Sequence, residues 1–266
     1  MKVLFSTGSL FYLPLKETFR LARETGFDGV ELVINRELDD PRYREVVAEA
    51  AAGFPICSVH APYAKLRNWG SLSEGLVRAI EFAKETGIDM VNFHPPAWYP
   101  LQLDYYKWFR KVADFQQGLA GNATTLAIEN MPLMGKRLRL APYILNDFRD
   151  LIEFGVKNNL CFTFDVTHLA TFDEDPVAAF LAYFKSGRLR NIHLSDYAEP
   201  ESHLFLGRGD LPIVQLLNTM QAVGYDGMIT LELAPNEYPR ADEWLIKVMR
   251  YLASFIKMHL GRNADG

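Results

Sequence analysis

Histidine, aspartate and glutamate side chains recur in this sequence at the carboxyl ends of short apolar runs. His60 ends the run ICSVH, His94 ends MVNFH, and Asp165 lies near the end of CFTFDV. Imidazole and carboxylate groups are the ligands that proteins offer to Zn²⁺, Mn²⁺ and related divalent cations. The nine residues of this kind, called the ligand set below, are His60, His94, Glu129, Asp165, His168, His193, Glu201, His203 and Glu232. The set contains every histidine of the chain except His259.

The apolar runs are predicted β-strands, and they alternate with amphipathic helical patterns along the whole chain. The strands are predicted at 3–6, 29–34, 56–60, 90–94, 125–130, 161–166, 190–195 and 228–233. The helices are predicted near 15–25, 41–52, 71–86, 104–120, 144–155, 175–186, 212–223 and 241–259. Nearly continuous apolar strands are typical of a parallel sheet covered by helices. Eight strand–helix units, with no glycine-rich dinucleotide fingerprint after the first strand, favour a closed barrel over an open doubly wound sheet. The sequence therefore predicts an α/β fold, a single (β/α)8 TIM barrel over residues 1–260 with a disordered tail at 261–266.

In a barrel of this kind, the carboxyl ends of all strands meet at one mouth. A single histidine in an apolar run is usually a core residue with its hydrogen bonds satisfied, and a single glutamate is often half of an ion pair. Nine such groups in one mouth would be costly to bury without compensation. Divalent cations remove that cost, because they neutralise carboxylates and bind neutral imidazoles. The pattern predicts a site for Zn²⁺ or Mn²⁺, with Mg²⁺ or Co²⁺ as further candidates.

Composition narrows the class of protein further. The 266 residues include 28 Lys and Arg against 33 Asp and Glu, a net charge of −5 that indicates no general affinity for nucleic acids or membranes. Cys57 and Cys161 lie inside apolar runs, which favours buried thiols in a reducing compartment. The N-terminal residues do not match a signal peptide, and no run approaches the ~18 apolar residues of a membrane span. These patterns predict a cytoplasmic protein with no membrane partner and leave its oligomeric state open.

Seven motifs at the predicted strand ends carry a family resemblance. They are SVHAPY (58–63), NFHPP (92–96), AIEN (127–130), FDVTHLA (164–170), NIHLSD (191–196), ESHLFLGRGD (201–210) and TLELAP (230–235). In this order they resemble the xylose isomerase-like TIM-barrel superfamily, which includes sugar phosphate isomerases and epimerases and also endonuclease IV (AP endonuclease family 2). The resemblance to the isomerases implies that Glu129, Asp165, His193 and Glu232 bind one metal ion. The resemblance to endonuclease IV implies that the whole ligand set holds three zinc ions, although Glu201 stands where endonuclease IV has aspartate.

Two reactions fit these residues. The leading hypothesis is a metal-dependent isomerase or epimerase that acts on a small sugar or sugar phosphate through an enediolate. Glu129 and Glu232 would move the protons, with His168 as a further catalytic candidate. The candidates for substrate binding are His60, His94, His203, Arg208 and Trp98. The alternative is a zinc phosphodiesterase that cleaves abasic DNA, and a third hypothesis is a non-catalytic protein that binds metal or sugar.

The first strand and the loops bear on this choice. His60, His94 and His203 exceed what a single metal needs, which favours the phosphodiesterase. In contrast, LFSTGSLF (4–11) differs from the Gly-x-His-x-Ser type of first strand in endonuclease IV, and PLKETFRLARETGFDGVEL (14–32) resembles the isomerases. The loop residues Lys65, Arg67, Trp69, Trp98, Tyr99, Lys136, Arg137 and Arg139 suit either a sugar phosphate or a nucleic acid, and equally a solvated rim. Glu31 is expected to support the metal ligands rather than to bind metal.

Overall fold

The computed structural model describes residues 1–98, 101–135 and 139–262. Tyr99, Lys136 and Arg137 lie outside these residues, as does most of the predicted tail at 261–266.

Eight parallel strands close into one barrel. They are β1 (Lys2–Ser6), β2 (Gly29–Val33), β3 (Ile56–His60), β4 (Met90–Phe93), β5 (Thr125–Glu129), β6 (Cys161–Asp165), β7 (Leu189–Leu194) and β10 (Met228–Leu231). Their order around the barrel is β1-β10-β7-β6-β5-β4-β3-β2, and β1 pairs with β10 from Lys2 and Met228 to Phe5 and Leu231. The predicted α/β class and (β/α)8 barrel are confirmed.

Helices follow the strands, and most of them cover the outside of the barrel. They are α1 (Leu15–Glu24), α2 (Tyr43–Ala51), α3 (Leu72–Thr86), α4 (Leu103–Phe109), α5 (Phe148–Lys157), α6 (Val166–Ala170), α7 (Pro176–Lys185), α8 (Ile213–Ala222) and α9 (Asp242–His259). Local chemistry sets their ends. Helix α3 begins with a capping box between Ser71 and Glu74 and is followed by Gly87, whose φ of 70° suits a residue without a Cβ. Among the described residues, no helix combines the length and the apolarity needed to cross a membrane.

The predicted helix at 104–120 was wrong in its second half. Helix α4 ends at Phe109, and a separate π-helical turn follows at Gln116–Ala120. The side chain of Asp114 accepts a hydrogen bond from the backbone N–H of Gln117 at 2.9 Å, and such local bonds compete with helix continuation. Similarly, the helix predicted from residue 144 begins only at Phe148, where Asp147 caps it.

A short antiparallel hairpin, absent from the prediction, follows β7. Its strands are β8 (Asp196–Ala198) and β9 (Glu201–Leu204). Glu201 and His203 lie between the strands predicted at 190–195 and 228–233, and both are on β9. The hairpin therefore holds two members of the ligand set on regular structure beside the barrel mouth.

The barrel interior is polar, in contrast to the apolar layer between strands and helices. The outer layer packs rings such as Phe162 and Phe164 against Tyr183, with centroids 5.4 and 5.2 Å from it. Inside, Asn191 of β7 donates to the carboxylate of Glu31 of β2 at 3.1 Å. Because β2 and β7 are not neighbours in the sheet, this bond crosses the interior of the barrel.

Candidate metal centre

Four members of the ligand set converge at the mouth of the barrel. The side chain of His193, at the end of β7, places Nδ1 2.8 Å from Oε2 of Glu232, 3.5 Å from Oε1 of Glu129 and 3.8 Å from Oδ2 of Asp165. Glu129 and Asp165 end β5 and β6, and Glu232 follows β10 directly. Glu129, Asp165 and His193 are almost completely buried. Three carboxylates from separate strands therefore surround one imidazole nitrogen.

Three buried atoms of this group lack a partner for hydrogen bonding among the described residues. Oδ1 of Asp165 accepts a bond from the backbone N–H of His168 at 2.7 Å and so caps α6. Oδ2 of Asp165 and both ring nitrogens of His193 form no hydrogen bond with any described residue. Buried polar atoms without partners are rare, and ligation of an ion is one of their ordinary explanations. The donor set of one imidazole and three carboxylates fits a divalent cation.

Electrostatics favours the ionised carboxylates. Burial acts to raise the pKa of Glu129 and of Glu232, but the surrounding histidines, with His193 foremost, together outweigh burial and hold both pKa values below their usual range. Conversely, burial acts to lower the pKa of His193, and the carboxylates of Glu31, Glu129 and Glu232 raise it well above its usual value. Without a cation, a protonated His193 balances the carboxylates. A bound cation would take over that role.

A second group shares Glu129. Nε2 of His60 lies 3.1 Å from Nε2 of His94, and the two nitrogens lie 3.4 and 3.6 Å from Oε2 of Glu129. Nδ1 of His60 donates to the carbonyl oxygen of Ala61 at 2.9 Å, so Nε2 of the neutral ring carries a lone pair. Two imidazole nitrogens and a carboxylate oxygen thus face one point, where a second cation could bind.

A third group consists of Asp165, His168 and His203, whose ligand atoms lie within 4.8 Å of one another. Nδ1 of His168 donates to the carbonyl oxygen of Asn130 at 2.9 Å, and Nδ1 of His203 lies 3.1 Å from the carbonyl oxygen of Glu232. Burial lowers the pKa of His168, but the charges of Asp165 and Glu129 outweigh it and raise that pKa to about 9. His203 has a left-handed backbone with φ of 55°, a conformation that often marks a functional residue.

Three predicted site residues lie away from these groups. The side chain of Glu201 is 61% exposed and pairs with Arg208 at 3.4 Å. Arg208 pairs also with Glu237, and Trp98 is exposed with its ring centroid 4.6 Å from that of Tyr106. Eight of the nine residues of the ligand set therefore belong to the three groups or contact them directly, and Glu201 is the exception.

Supporting residues that sequence reasoning did not single out hold the ligands in place. Asn92 donates to Oε2 of Glu129 at 2.5 Å, and Asn130 bonds the backbone N–H and carbonyl of Asp165 at 2.8 and 2.9 Å. Both asparagines lie within two residues of a ligand, in NFHPP and AIEN, so their position was the available signal. Glu31 contacts Nε2 of His193 at 2.9 Å, which agrees with its predicted supporting role.

Known proteins share this architecture. An uncharacterized protein of Mycobacterium tuberculosis is 26% identical over 278 residues, which cover 91% of this chain and 92% of the relative. A 3-keto-D-glucoside 4-epimerase from E. coli has a TM-score of 0.70 at 20% identity, covering 97% of this chain and 99% of that one. Endonuclease IV from Thermus thermophilus has a TM-score of 0.60 at 19% identity, with 97% and 100% covered. At these identities the two structures show a common fold.

A sequence model of the family described as a xylose isomerase-like TIM barrel matches residues 19–254, from within α1 to within α9. The chain therefore belongs to the xylose isomerase-like TIM-barrel family.

Proposed function

We propose that this protein is a divalent-metal-dependent isomerase or epimerase of a small sugar or sugar phosphate. The observation that carries the proposal is the convergence of Glu129 and Glu232 on Nδ1 of His193, beside the unpartnered Oδ2 of Asp165. Two ionised carboxylates at one cation site can serve both as ligands and as proton carriers. The epimerase among the structural neighbours supports the same chemistry.

The roles of the residues follow from this arrangement. A Zn²⁺ or Mn²⁺ ion held by Glu129, Asp165, His193 and Glu232 would polarise the substrate carbonyl and stabilise negative charge on adjacent oxygens. One glutamate removes a proton from the carbon next to the carbonyl, the C–H electron pair forms a C=C bond, and the carbonyl π electrons move onto oxygen to give an enediolate. Return of the proton to the former carbonyl carbon, with transfer of the hydroxyl proton between the two oxygens, gives isomerisation. Delivery to the carbon that lost the proton, by the second glutamate from the opposite face, gives epimerisation.

Proton exchange tests the proposal. We expect the metal-loaded protein to incorporate deuterium from D₂O into a ketose, and Glu129→Gln and Glu232→Gln each to slow incorporation about 10²- to 10⁴-fold. Glu153→Gln is the matched control, because Glu153 is exposed on α5 and makes no ion pair within the described ranges. Metal content, measured for each variant by mass spectrometry, separates a lost proton carrier from a lost ligand. Wild-type exchange rates in Glu129→Gln would contradict the proposal.

The second candidate function is phosphodiester hydrolysis at abasic DNA, and the His60–His94 pair favours it. These two imidazoles, with Glu129, form a second cation site that one-metal sugar chemistry does not require. Three zinc ions per chain, with cleavage of an abasic duplex that Glu129→Gln abolishes, would support this candidate. One tightly bound ion with deuterium exchange supports the isomerase. Metal and ligand binding without any turnover would indicate a non-catalytic binding protein.

A further inference from the structure

A cleft of about 420 Å³ opens beside the metal centre, between the segments that follow β1, β2 and β3. Its volume falls in the range of about 300–1,000 Å³ that is common for small-molecule sites. The side chains of Phe11 and Tyr63 line it and are 61% and 55% exposed. Exposed aromatic rings in a concave site indicate a surface that can pack against a ligand.

Tyr63 lies between this cleft and the ligand group that contains His60 and His94. Its ring centroid lies 6.2 Å from that of His60 and 6.1 Å from that of His94. The segment after β2 also lines the cleft and is bonded to the end of β3. The backbone N–H of Ile34 donates to the carbonyl oxygen of His60 at 3.0 Å. The cleft therefore lies next to the group formed by His60 and His94, with Tyr63 between them.

Two cationic side chains also line the cleft, Arg36 and Lys65. Over residues 1–98, 101–135 and 139–262, neither forms an ion pair. The acidic residue Glu37 lines the cleft as well. Its Oε1 accepts a hydrogen bond from the backbone N–H of Leu15 at 2.6 Å, and it forms no ion pair with Arg36 or Lys65. Two exposed cations that form no ion pair within the described ranges, at one concave and partly aromatic surface, suit a phosphate or carboxylate group.

We propose that this cleft binds the anionic end of the substrate, a phosphate or carboxylate group carried by a sugar whose carbonyl end reaches the metal centre. The inference rests on the proposed function and narrows its substrate class to acidic sugars. Arg36 and Lys65 bind the oxyanion, while Phe11 and Tyr63 pack against the carbon chain between the two ends.

Calorimetric binding to the metal-loaded protein tests the assignment. The probes are D-fructose and D-tagatose, their 6-phosphates as the phosphate arm, and D-fructuronate as the carboxylate arm. We expect at least one anionic probe to bind the wild type about tenfold or more tightly than its neutral counterpart. The Arg36→Met/Lys65→Met double variant should lose this preference while keeping its metal content and melting temperature. Lys185→Met, on exposed Lys185 of α7, should keep the preference.

The outcomes separate the cleft from the reaction. Equal binding of neutral and anionic probes to the wild type, or a preference that survives in the double variant, would overturn the assignment. If the protein prefers anionic probes through Arg36 and Lys65 but exchanges no proton, the assignment of the cleft is supported and the proposed isomerase reaction is contradicted. Binding of an abasic duplex that the double variant loses, without any preference for acidic sugars, would overturn the substrate class.

Discussion

Replacement of Glu31 by glutamine tests how the barrel interior orients a metal ligand. Glu31 is fully buried on β2. Its Oε2 accepts hydrogen bonds from Oγ of Ser58 at 2.8 Å and from Nδ2 of Asn191 at 3.1 Å, and its Oε1 lies 2.9 Å from Nε2 of His193. A proton held on Nε2 leaves the lone pair of Nδ1 directed toward the three carboxylates of the metal centre.

The amide of Glu31→Gln has only one oxygen to offer. If that oxygen faces His193, the new NH₂ group meets the NH₂ group of Asn191. If it faces Asn191, the NH₂ group meets Nε2 of His193, and the imidazole must carry its proton on Nδ1 instead. Either way, one buried polar contact with a charged group is lost, and an interaction of that kind is worth about 1.5–3 kcal/mol. We therefore expect metal affinity to fall about 10- to 150-fold.

Competition with a chromogenic chelator measures that affinity on protein first freed of metal. Glu85→Gln is the matched control, because Glu85 is an exposed residue that pairs with Arg44 at 2.9 Å on the helical surface. The control should bind metal as the wild type does. If Glu31→Gln also binds metal with wild-type affinity while remaining folded, the reasoning that Glu31 sets the proton position of His193 is refuted.

Three further predictions concern stability. A chelator should lower the melting temperature by roughly 5–10 °C when the metal was present at about 100 times its Kd, because only the folded chain assembles the site. Asp28→Asn should lower the free energy of unfolding by about 1–2 kcal/mol, measured by urea denaturation. Burial acts to raise the pKa of Asp28, but hydrogen bonds from Arg262 and Lys257 outweigh it and lower that pKa. The destabilisation is therefore complete above about pH 4 and disappears as the pH falls through the lowered pKa of the folded state. Gly155→Ala should cost about 1–3 kcal/mol, because a Cβ at this position would overlap the ring of Phe162.

Each of these predictions has a result that would contradict it. An unchanged melting temperature after complete metal removal would argue against a metal that binds the folded chain. A loss in Asp28→Asn that persists undiminished at pH 2 would rule out the ion pairs as its cause. Gly118→Ala is the control for Gly155→Ala, since a Cβ at Gly118 meets no atom within 4 Å. Equal stability of the two alanine variants would refute the packing argument.

Much of the fold was predictable because its signals are local. The eight strands were identified within two residues of their observed bounds, since each is an apolar run between helical patterns. The helix predicted at 104–120 was partly wrong for an equally local reason. The side chain of Asp114 accepts a hydrogen bond from the backbone N–H of Gln117. The hairpin of β8 and β9 was missed because its strands are short and only partly apolar.

The candidate site divides in the same way between local and non-local information. The sequence by itself determined the barrel class and the strand ends that carry the ligand set, because parallel strands must present their carboxyl ends at one mouth. Only the tertiary structure decided that Glu201 lies with Arg208 on the surface while His203 turns toward the centre. It also decided that Glu31 and Asn92 hold the rings and carboxylates of the ligands. Those contacts join residues far apart in sequence, and their geometry exists only once the barrel has closed.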